Sequence, residues 1–487
     1  MKKISRNLTM LFDYYEMTMA NGYFKKGMGD MIAYFDVFYR SNPDNGGYAI
    51  AAGLEQVIEY INDLRFDEDD IAYLRAKGGF DESFLAYLRN FKFSGDIWAV
   101  PEGTVVFPGE PLMTVRAPTM EAQFIETYLL MMLNHESMIA TKAARITRAA
   151  KGRPVSEFGS RRAQGADAAI LGARAAYIGG VSGTACAIAD QVYGVPASGT
   201  MAHSWVQMFD SEYEAFRTYC ELYPDSATLL IDTYNVLESG VPNAIRAFKE
   251  TGVKKCAVRI DSGDIAYLSC KIRKMLDEAG LTDCKIVASN SLDEYIIRGL
   301  LQQGAQVDAF GVGERLITSK SNPVFGGVYK LCAVEDKEGN ILPKIKLSEN
   351  VGKITTPHFK KVYRLFGKDT GKAEADLICV YDETVDDTQP LEIFDPENTW
   401  KTKVLQSFTA KELLVPIFKH GKQVYTSPTL DEIRAHCKAS LDSIWEEVKR
   451  FDNPHNYYVD LSRKLWDIKY GMIKAQRHGD KTQKAGK

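Results

Sequence analysis

Apolar positions in the middle of the chain follow two alternating rhythms. Short apolar runs, Val155 to Phe158, Thr228 to Ile231, Cys256 to Ile260, Lys285 to Ala288 and Val307 to Phe310, each end in polar residues or glycines. Between them lie longer stretches with apolar residues at three- and four-residue spacing, the period of a helix packed on one side. After Asp264, for example, Ile265, Leu268, Ile272, Met275 and Leu276 share a face, and Gly280 ends the helix. Gly194 to Thr200 is a further, less regular run. Strands alternating with helices predict an α/β fold with a parallel sheet, and polar ends collecting on one rim predict a barrel. The stretch is shorter than the ~250 residues of a typical eight-unit barrel, so an irregular or incomplete parallel α/β barrel is expected.

The flanks read differently. Leu11 to Phe24 has helical spacing, Met31 to Tyr39 alternates as a strand, and Asn42 to Gly47 is a turn. Pro101 to Pro118 predicts two short strands about a Pro-Gly turn, and Ala122 to Ala150 a long helix bearing Lys142, Arg145 and Arg148. Beyond Leu331 come a strand at Leu377 to Tyr381, an amphipathic helix at Leu430 to Phe451 and a short helix at Leu461 to Ile468. The polar, lysine-rich end from Lys474 predicts a flexible tail. The expected organisation is an N-terminal α+β domain (1–150), a central barrel (151–335) and a C-terminal region (336–487) packing on the N-terminal domain.

Charged residues make up 25% of the 487 and the net charge is −4, which argues against broad binding to nucleic acid or anionic membrane. No apolar run approaches the roughly 18 residues of a membrane span, and the N-terminus lacks the pattern of a secretory signal. A cytoplasmic protein is expected. The 8 cysteines form no Cys-x-x-Cys pair, so they read as reduced core thiols.

No nucleophile elbow, Walker loop or His-Glu-x-x-His is present. The expected rim instead offers arginines, carboxylates and glycines. Arg161, Arg162 and Arg259 can fork onto carboxylate or phosphate oxygens. Gly311 and Gly313 suit a phosphate-binding turn, though a tight turn without ligand fits them equally. Asp261 and Asp264 flank Ser262-Gly263 at a helix start; one suffices as cap, and the other can hold a ribose hydroxyl pair or the water shell of Mg²⁺. His203 is either a histidine satisfied by its neighbours or a catalytic group.

Six segments then resemble nicotinate phosphoribosyltransferases: Asp-Tyr-Tyr-Glu-Met-Thr-Met-Ala from Asp13, Glu-Phe-Gly-Ser-Arg-Arg-Ala from Glu157, Gly-Thr-Met-Ala-His-Ser from Gly199, Arg-Ile-Asp-Ser-Gly-Asp from Arg259, Phe-Gly-Val-Gly-Glu-Arg-Leu-Ile-Thr from Phe310 and Gly-Gly-Val-Tyr-Lys-Leu from Gly326. The resemblance implies synthesis of nicotinate mononucleotide from nicotinate and phosphoribosyl diphosphate, coupled to ATP hydrolysis, with Mg²⁺, in a homodimer with shared sites. It also implies that Phe158 stacks on the pyridine ring, that Arg259, Thr200 and a partner-subunit Tyr15 line the nicotinate pocket, and that ATP phosphorylates His203. Arg161, Asp261, Ser289, Asn290 and the turn from Gly311 through Gly313 to Glu314 would hold the phosphoribosyl group, with Asp261 and Asp264 near Mg²⁺. Glu314 departs from family members with Thr there, and a carboxylate repels phosphate unless Mg²⁺ or Arg315 intervenes. Two rival readings are a nicotinamide phosphoribosyltransferase, which carries Asp where this chain has Met201, and a catalytically silent metabolite-binding protein on the same fold.

Overall fold

In the computed structural model, which describes residues 6–350 and 353–484, apart from the side chains of 476–484, the alternating middle of the chain becomes a six-stranded parallel sheet. Its strands are β1 (Val155–Glu157), β2 (Gly183–Thr184), β3 (Ala227–Leu230), β4 (Cys256–Ile260), β5 (Lys285–Ala288) and β6 (Ala309–Val312). They lie in the order β2-β1-β6-β5-β4-β3. The last strand pairs with the first and chain neighbours otherwise pair with each other, except across the β2 to β3 gap. That cyclic order, left open at one seam, makes a half-barrel. At the seam, β2 gains a single bridge from Thr184 to Ala197. The run from Gly194 to Thr200 therefore supplies no strand; its glycines and Pro196 contribute little to a ladder.

This sheet belongs to a compact unit spanning Ile139–Pro323. Val258, Ile260, Ile286, Ala288, Phe310 and Val312 are fully buried in it. Helices follow the strands, capped as their sequences dictate. The Asp264 carboxylate accepts from the Tyr267 N–H at 3.0 Å to start Ile265–Glu278, and Asp293 accepts from the Tyr295 and Ile296 N–H groups to start Glu294–Gln302. Lys142 and Arg145 both grip the buried Glu294, Lys142 Nζ at 2.8 Å and Arg145 Nε at 2.9 Å.

The second unit is built from the chain on either side of the first. Its seven-stranded antiparallel sheet sets Ile32–Tyr39 between Gly327–Glu335 and Met113–Pro118, and pairs Asp96–Ala99 with Val415–Lys419. Gly327–Glu335, expected within the central barrel, thus serves this sheet. A smaller sheet pairs Lys360–Gly367 with Ala373–Val380. At facing register positions there, buried Arg364 forks onto buried Asp376, Nε to Oδ1 at 2.8 Å and Nη2 to Oδ2 at 2.6 Å.

Several flanking expectations change. Val105–Val106 and Met113–Pro118 do not pair with each other; the first pairs with Ala49–Ile50. The turn between them is tied elsewhere, Phe107 N–H to Glu110 and Gly109 N–H to the Tyr39 carbonyl, so its arms diverge. The long helix is split into Thr119–Phe124 and Glu126–Ala149. Leu430–Ser443, started by a Thr429/Glu432 capping box, stops short of the expected Phe451. The last helix runs Arg463–Lys484, through most of the expected tail; 485–487 lie outside the described residues. Among the described residues no helix is long and apolar enough to cross a membrane.

Candidate active site

The polar residues just past the strand ends form one connected network, and Arg259 is its hub. Near the end of β4, its Nε donates to Ser289 Oγ at 2.9 Å, Nη1 to Thr200 Oγ1 at 3.1 Å and Nη2 to Asp261 Oδ1 at 3.3 Å. Ser289 also donates to Asp261 Oδ1. A guanidinium has five N–H groups; with three directed to these partners, one remains on each Nη. That pair is left to receive an incoming carboxylate.

Phe158 follows β1, fixed by its backbone N–H to the Val312 carbonyl at 2.8 Å. Its ring centroid lies 5.6 Å from the Arg259 Cζ. The ring also lies on Gly311, where an added Cβ would stand 2.4 Å from a ring carbon. Gly311, expected in a phosphate-binding turn, is therefore inside β6, opposite Ser156, and its lack of a side chain makes room for the aromatic ring. The strand-to-helix turn itself begins at Gly313 and opens a helix of one turn, Glu314–Ile317. Behind Phe158, Glu157 is fully buried, accepts from the Gly159 N–H and from Thr184 Oγ1 at 2.6 Å, and has its pKa raised by burial. It thereby locks the backbone that presents the ring.

His203 begins the short helix His203–Gln207. Its Nδ1 lies 3.1 Å from Thr233 Oγ1, and its Nε2 lies 4.0 Å from Asp232 Oδ1. Asp232 joins the histidine to the Arg259 cluster: its Oδ2 accepts from the Asp261 N–H at 3.0 Å and from Ser262 Oγ at 2.5 Å. Its Oδ1 is buried with no hydrogen-bond partner among the described residues. Asp232, Thr233 and Glu157 were not among the expected site residues. For Asp232 a signal existed, since it stands just past β3 as Asp261 stands just past β4.

The remaining residues occupy the same rim or other places. Asn290 (φ +94°) and Ser291 (φ +50°) turn sharply after β5. Asp293, two residues on, accepts from Arg315 Nη1, which ties this turn to the one at Gly313. Arg315 is thus committed to Asp293, and Glu314 is paired with Lys320 at 2.6 Å, which holds its pKa below the usual carboxylate range. Arg161 sits exposed on the tight turn Ser160–Arg162, without a hydrogen-bond or ion-pair partner among the described residues. Tyr15 belongs to the second unit, where its hydroxyl contacts Glu126.

The carboxylates do not build a metal cage: among the described residues, no group of three or more His, Cys, Asp or Glu is arranged to hold an ion. Asp264 uses Oδ1 on the helix cap and Asp261 uses Oδ1 on Arg259 and Ser289. This donor set fits Mg²⁺ carried in on a diphosphate, for which a single protein carboxylate and waters suffice.

Comparison with known proteins identifies the family of the chain. The model of the nicotinate phosphoribosyltransferase family matches residues 154–365, and its N-terminal and C-terminal domain models match residues 10–134 and 359–469. The chain is similar to nicotinate phosphoribosyltransferase of Bacillus subtilis, at 45% identity over 96% of this chain and 95% of that protein. It is 31% identical to the human enzyme of that name over 94% of this chain and 95% of that one. The crystal structure of human nicotinic acid phosphoribosyltransferase superposes with a TM-score of 0.82 at 28% identity, covering 95% of this chain and all of that one. The chain belongs to the nicotinate phosphoribosyltransferase family.

Proposed function

We infer that this protein joins nicotinate to phosphoribosyl diphosphate, releasing diphosphate and nicotinate mononucleotide for NAD salvage, and that it couples the reaction to ATP hydrolysis through His203. The observation that carries the reading is the placement of the Arg259 guanidinium beside the Phe158 ring, with Cζ 5.6 Å from the ring centroid. A flat aromatic ring stacked on Phe158 brings a ring carboxylate to the two undirected N–H groups of Arg259, and the Ser289, Thr200 and Asp261 contacts keep the guanidinium from swinging away. Ring and charge are read together, which suits nicotinate.

The chemistry then needs no general base. The pyridine nitrogen already carries the lone pair that attacks ribose C1, which is why no triad is present. What must be stabilised is the oxocarbenium-like carbon and the departing diphosphate. Asp261, beside Arg259, would take the ribose hydroxyls. Exposed Arg161 and the turns at Ser289-Asn290 and Gly313 offer donors to the phosphates. Mg²⁺ bound to the diphosphate would supply further charge neutralisation, with Asp261 as its protein ligand. Asp264, used as a cap, and Glu314, paired with Lys320, are left with supporting roles.

His203 fits a phosphoryl acceptor. Asp232 faces Nε2 and favours the tautomer with the proton there, which leaves Nδ1, beside the Thr233 hydroxyl, as the nitrogen that would attack the phosphoryl group. We further read the sheet as an irregular barrel open between β2 and β3, the active form as a cytoplasmic homodimer, and Tyr15 as a contribution from the partner subunit.

The test is product formation by the purified chain from nicotinate, phosphoribosyl diphosphate and Mg²⁺, with and without ATP. His203→Ala is expected to keep basal transfer and lose ATP stimulation, and Asp232→Asn to weaken that stimulation. Equal loss of basal and ATP-driven rates in His203→Ala contradicts the phosphohistidine role, and absence of product in the wild type contradicts the reading as a whole.

A further inference from the structure

At the opposite end of the sheet from Arg259, two thiols face each other. Cys256 opens β4 and Cys284 immediately precedes β5. The parallel register pairs Ala257 with Lys285, so one step back it sets Cys256 opposite Cys284. Strand periodicity places Cys256 with the buried Val258 and Ile260, and Cys284 with the buried Ile286 and Ala288, on the face opposite Arg259 and Asp261. The Cys284 thiol points to the Lys285 carbonyl, with Sγ 4.0 Å from the oxygen, at the edge of the ladder.

We propose that Cys256 and Cys284 form a peroxide-reactive dithiol that closes to a reversible disulfide across β4 and β5. Neighbouring strands lie ~4.8 Å apart, within the Cα separation a disulfide spans. Both residues sit at strand starts, where the ladder ends and the Cβ atoms can draw together. The pair is also asymmetric. Cys284 is buried, whereas Cys256 is partly exposed and lines a cavity of about 450 Å³ with Lys254, Lys255 and Lys285. The neighbouring Cys284 thiol, with Arg273 nearby, holds the Cys256 thiol below its usual range, while the nearness of Cys256 and burial push Cys284 up. Cys256 is therefore the attacking group and Cys284 the resolving one.

In the first step the Cys256 thiolate attacks one peroxide oxygen, the O–O bond breaks, and hydroxide leaves to take up a proton as water, giving a sulfenic acid. In the second, the Cys284 sulfur attacks the Cys256 sulfur and the S–O bond breaks. The departing hydroxide takes the Cys284 proton as water, and the S–S bond forms. Two thiols are oxidised and one peroxide is reduced to two waters.

Two other thiols make the proposal falsifiable. Cys270 is exposed, and Cys220, buried on the helix Glu212–Leu222, is close enough to Cys256 to compete, although burial pushes its pKa up to about 11. The reduced, full-length protein is exposed to hydrogen peroxide, its remaining thiols are blocked with iodoacetamide, and its peptides are mapped by mass spectrometry. The expected result is a Cys256–Cys284 cross-link, reversed by dithiothreitol, with Cys256 consumed about tenfold faster than Cys270. In Cys284→Ser, Cys256 is expected to persist as a sulfenic acid trapped by dimedone, with basal transferase activity retained. A Cys256–Cys220 link, consumption of Cys270 before Cys256, or both proposed thiols fully alkylated after peroxide overturns it.

Discussion

Arg259 is a cation whose guanidinium is held on three sides by Ser289, Thr200 and Asp261, so its two remaining N–H groups are aimed before any ligand arrives. Such preorganisation removes the ordering cost that a free arginine incurs on binding an anion. Gly311 matters for the same site in a different way. Gly311→Ala would put a methyl group into the Phe158 ring and push the ring from its place. We expect kcat/KM for nicotinate to fall about 10- to 100-fold with the fold intact, as a displacement of about 1 Å at a reacting ligand does; unchanged kinetics contradict the stacking role. At this scale the sequence could single out Phe158, Arg259 and Asp261 because each stands at or near the end of an apolar run, and His203 because of the Gly-Thr turn before it. Asp232 and Glu157 were not singled out, since a carboxylate after a strand looks the same in sequence whether it caps a helix, holds a histidine or braces a turn. Gly311 suits a phosphate turn or a ligand-free tight turn equally in sequence, because only the folded ring reveals what lies above it.

Among elements, strands alternating with helices were the most legible feature, and β1, β3, β4, β5 and β6 fall where the apolar runs stand. The partners of a strand were less so. Val105–Val106 and Met113–Pro118 have the local look of a hairpin, yet their arms pair with different strands because side chain and carbonyl contacts outside the turn redirect it. Long-range pairing of this kind leaves no local pattern. The Arg364–Asp376 fork is another such contact, joining facing positions on two strands in a fully buried setting. Removing Asp376 leaves the buried Arg364 with only Glu110, 4.0 Å away, as a carboxylate partner, so Asp376→Asn is expected to destabilise the protein by about 3 kcal/mol. Urea unfolding checks this, and a change below about 1 kcal/mol would show that the pair carries little of the stability.

At the scale of the whole chain, the N-terminal and C-terminal segments share one unit, and that unit buries Glu16. Glu16 is fully buried, with one oxygen accepting from Thr127 Oγ1 at 2.6 Å and the other without a hydrogen-bond partner among the described residues. Burial pushes its pKa from the ordinary 4.5 up to about 8. Between those values the folded protein binds a proton that the unfolded chain releases, so this contribution is fully present below the lower value and is lost as pH rises through the upper. The thermal midpoint of the wild type should therefore fall by a few degrees more than that of Glu16→Gln between about pH 5 and pH 8. Parallel pH curves for the two proteins would contradict this.

Selection of nicotinate is expected to depend on Arg259 reading the carboxylate of a ring stacked on Phe158. The most direct measurement is kcat/KM for nicotinate against nicotinamide, in the wild type and in Arg259→Gln. We predict a wild-type preference for nicotinate of at least about 100-fold, largely abolished by the substitution through loss of the nicotinate reaction. Equal use of the two pyridines by the wild type, or an undiminished preference in Arg259→Gln, would contradict it.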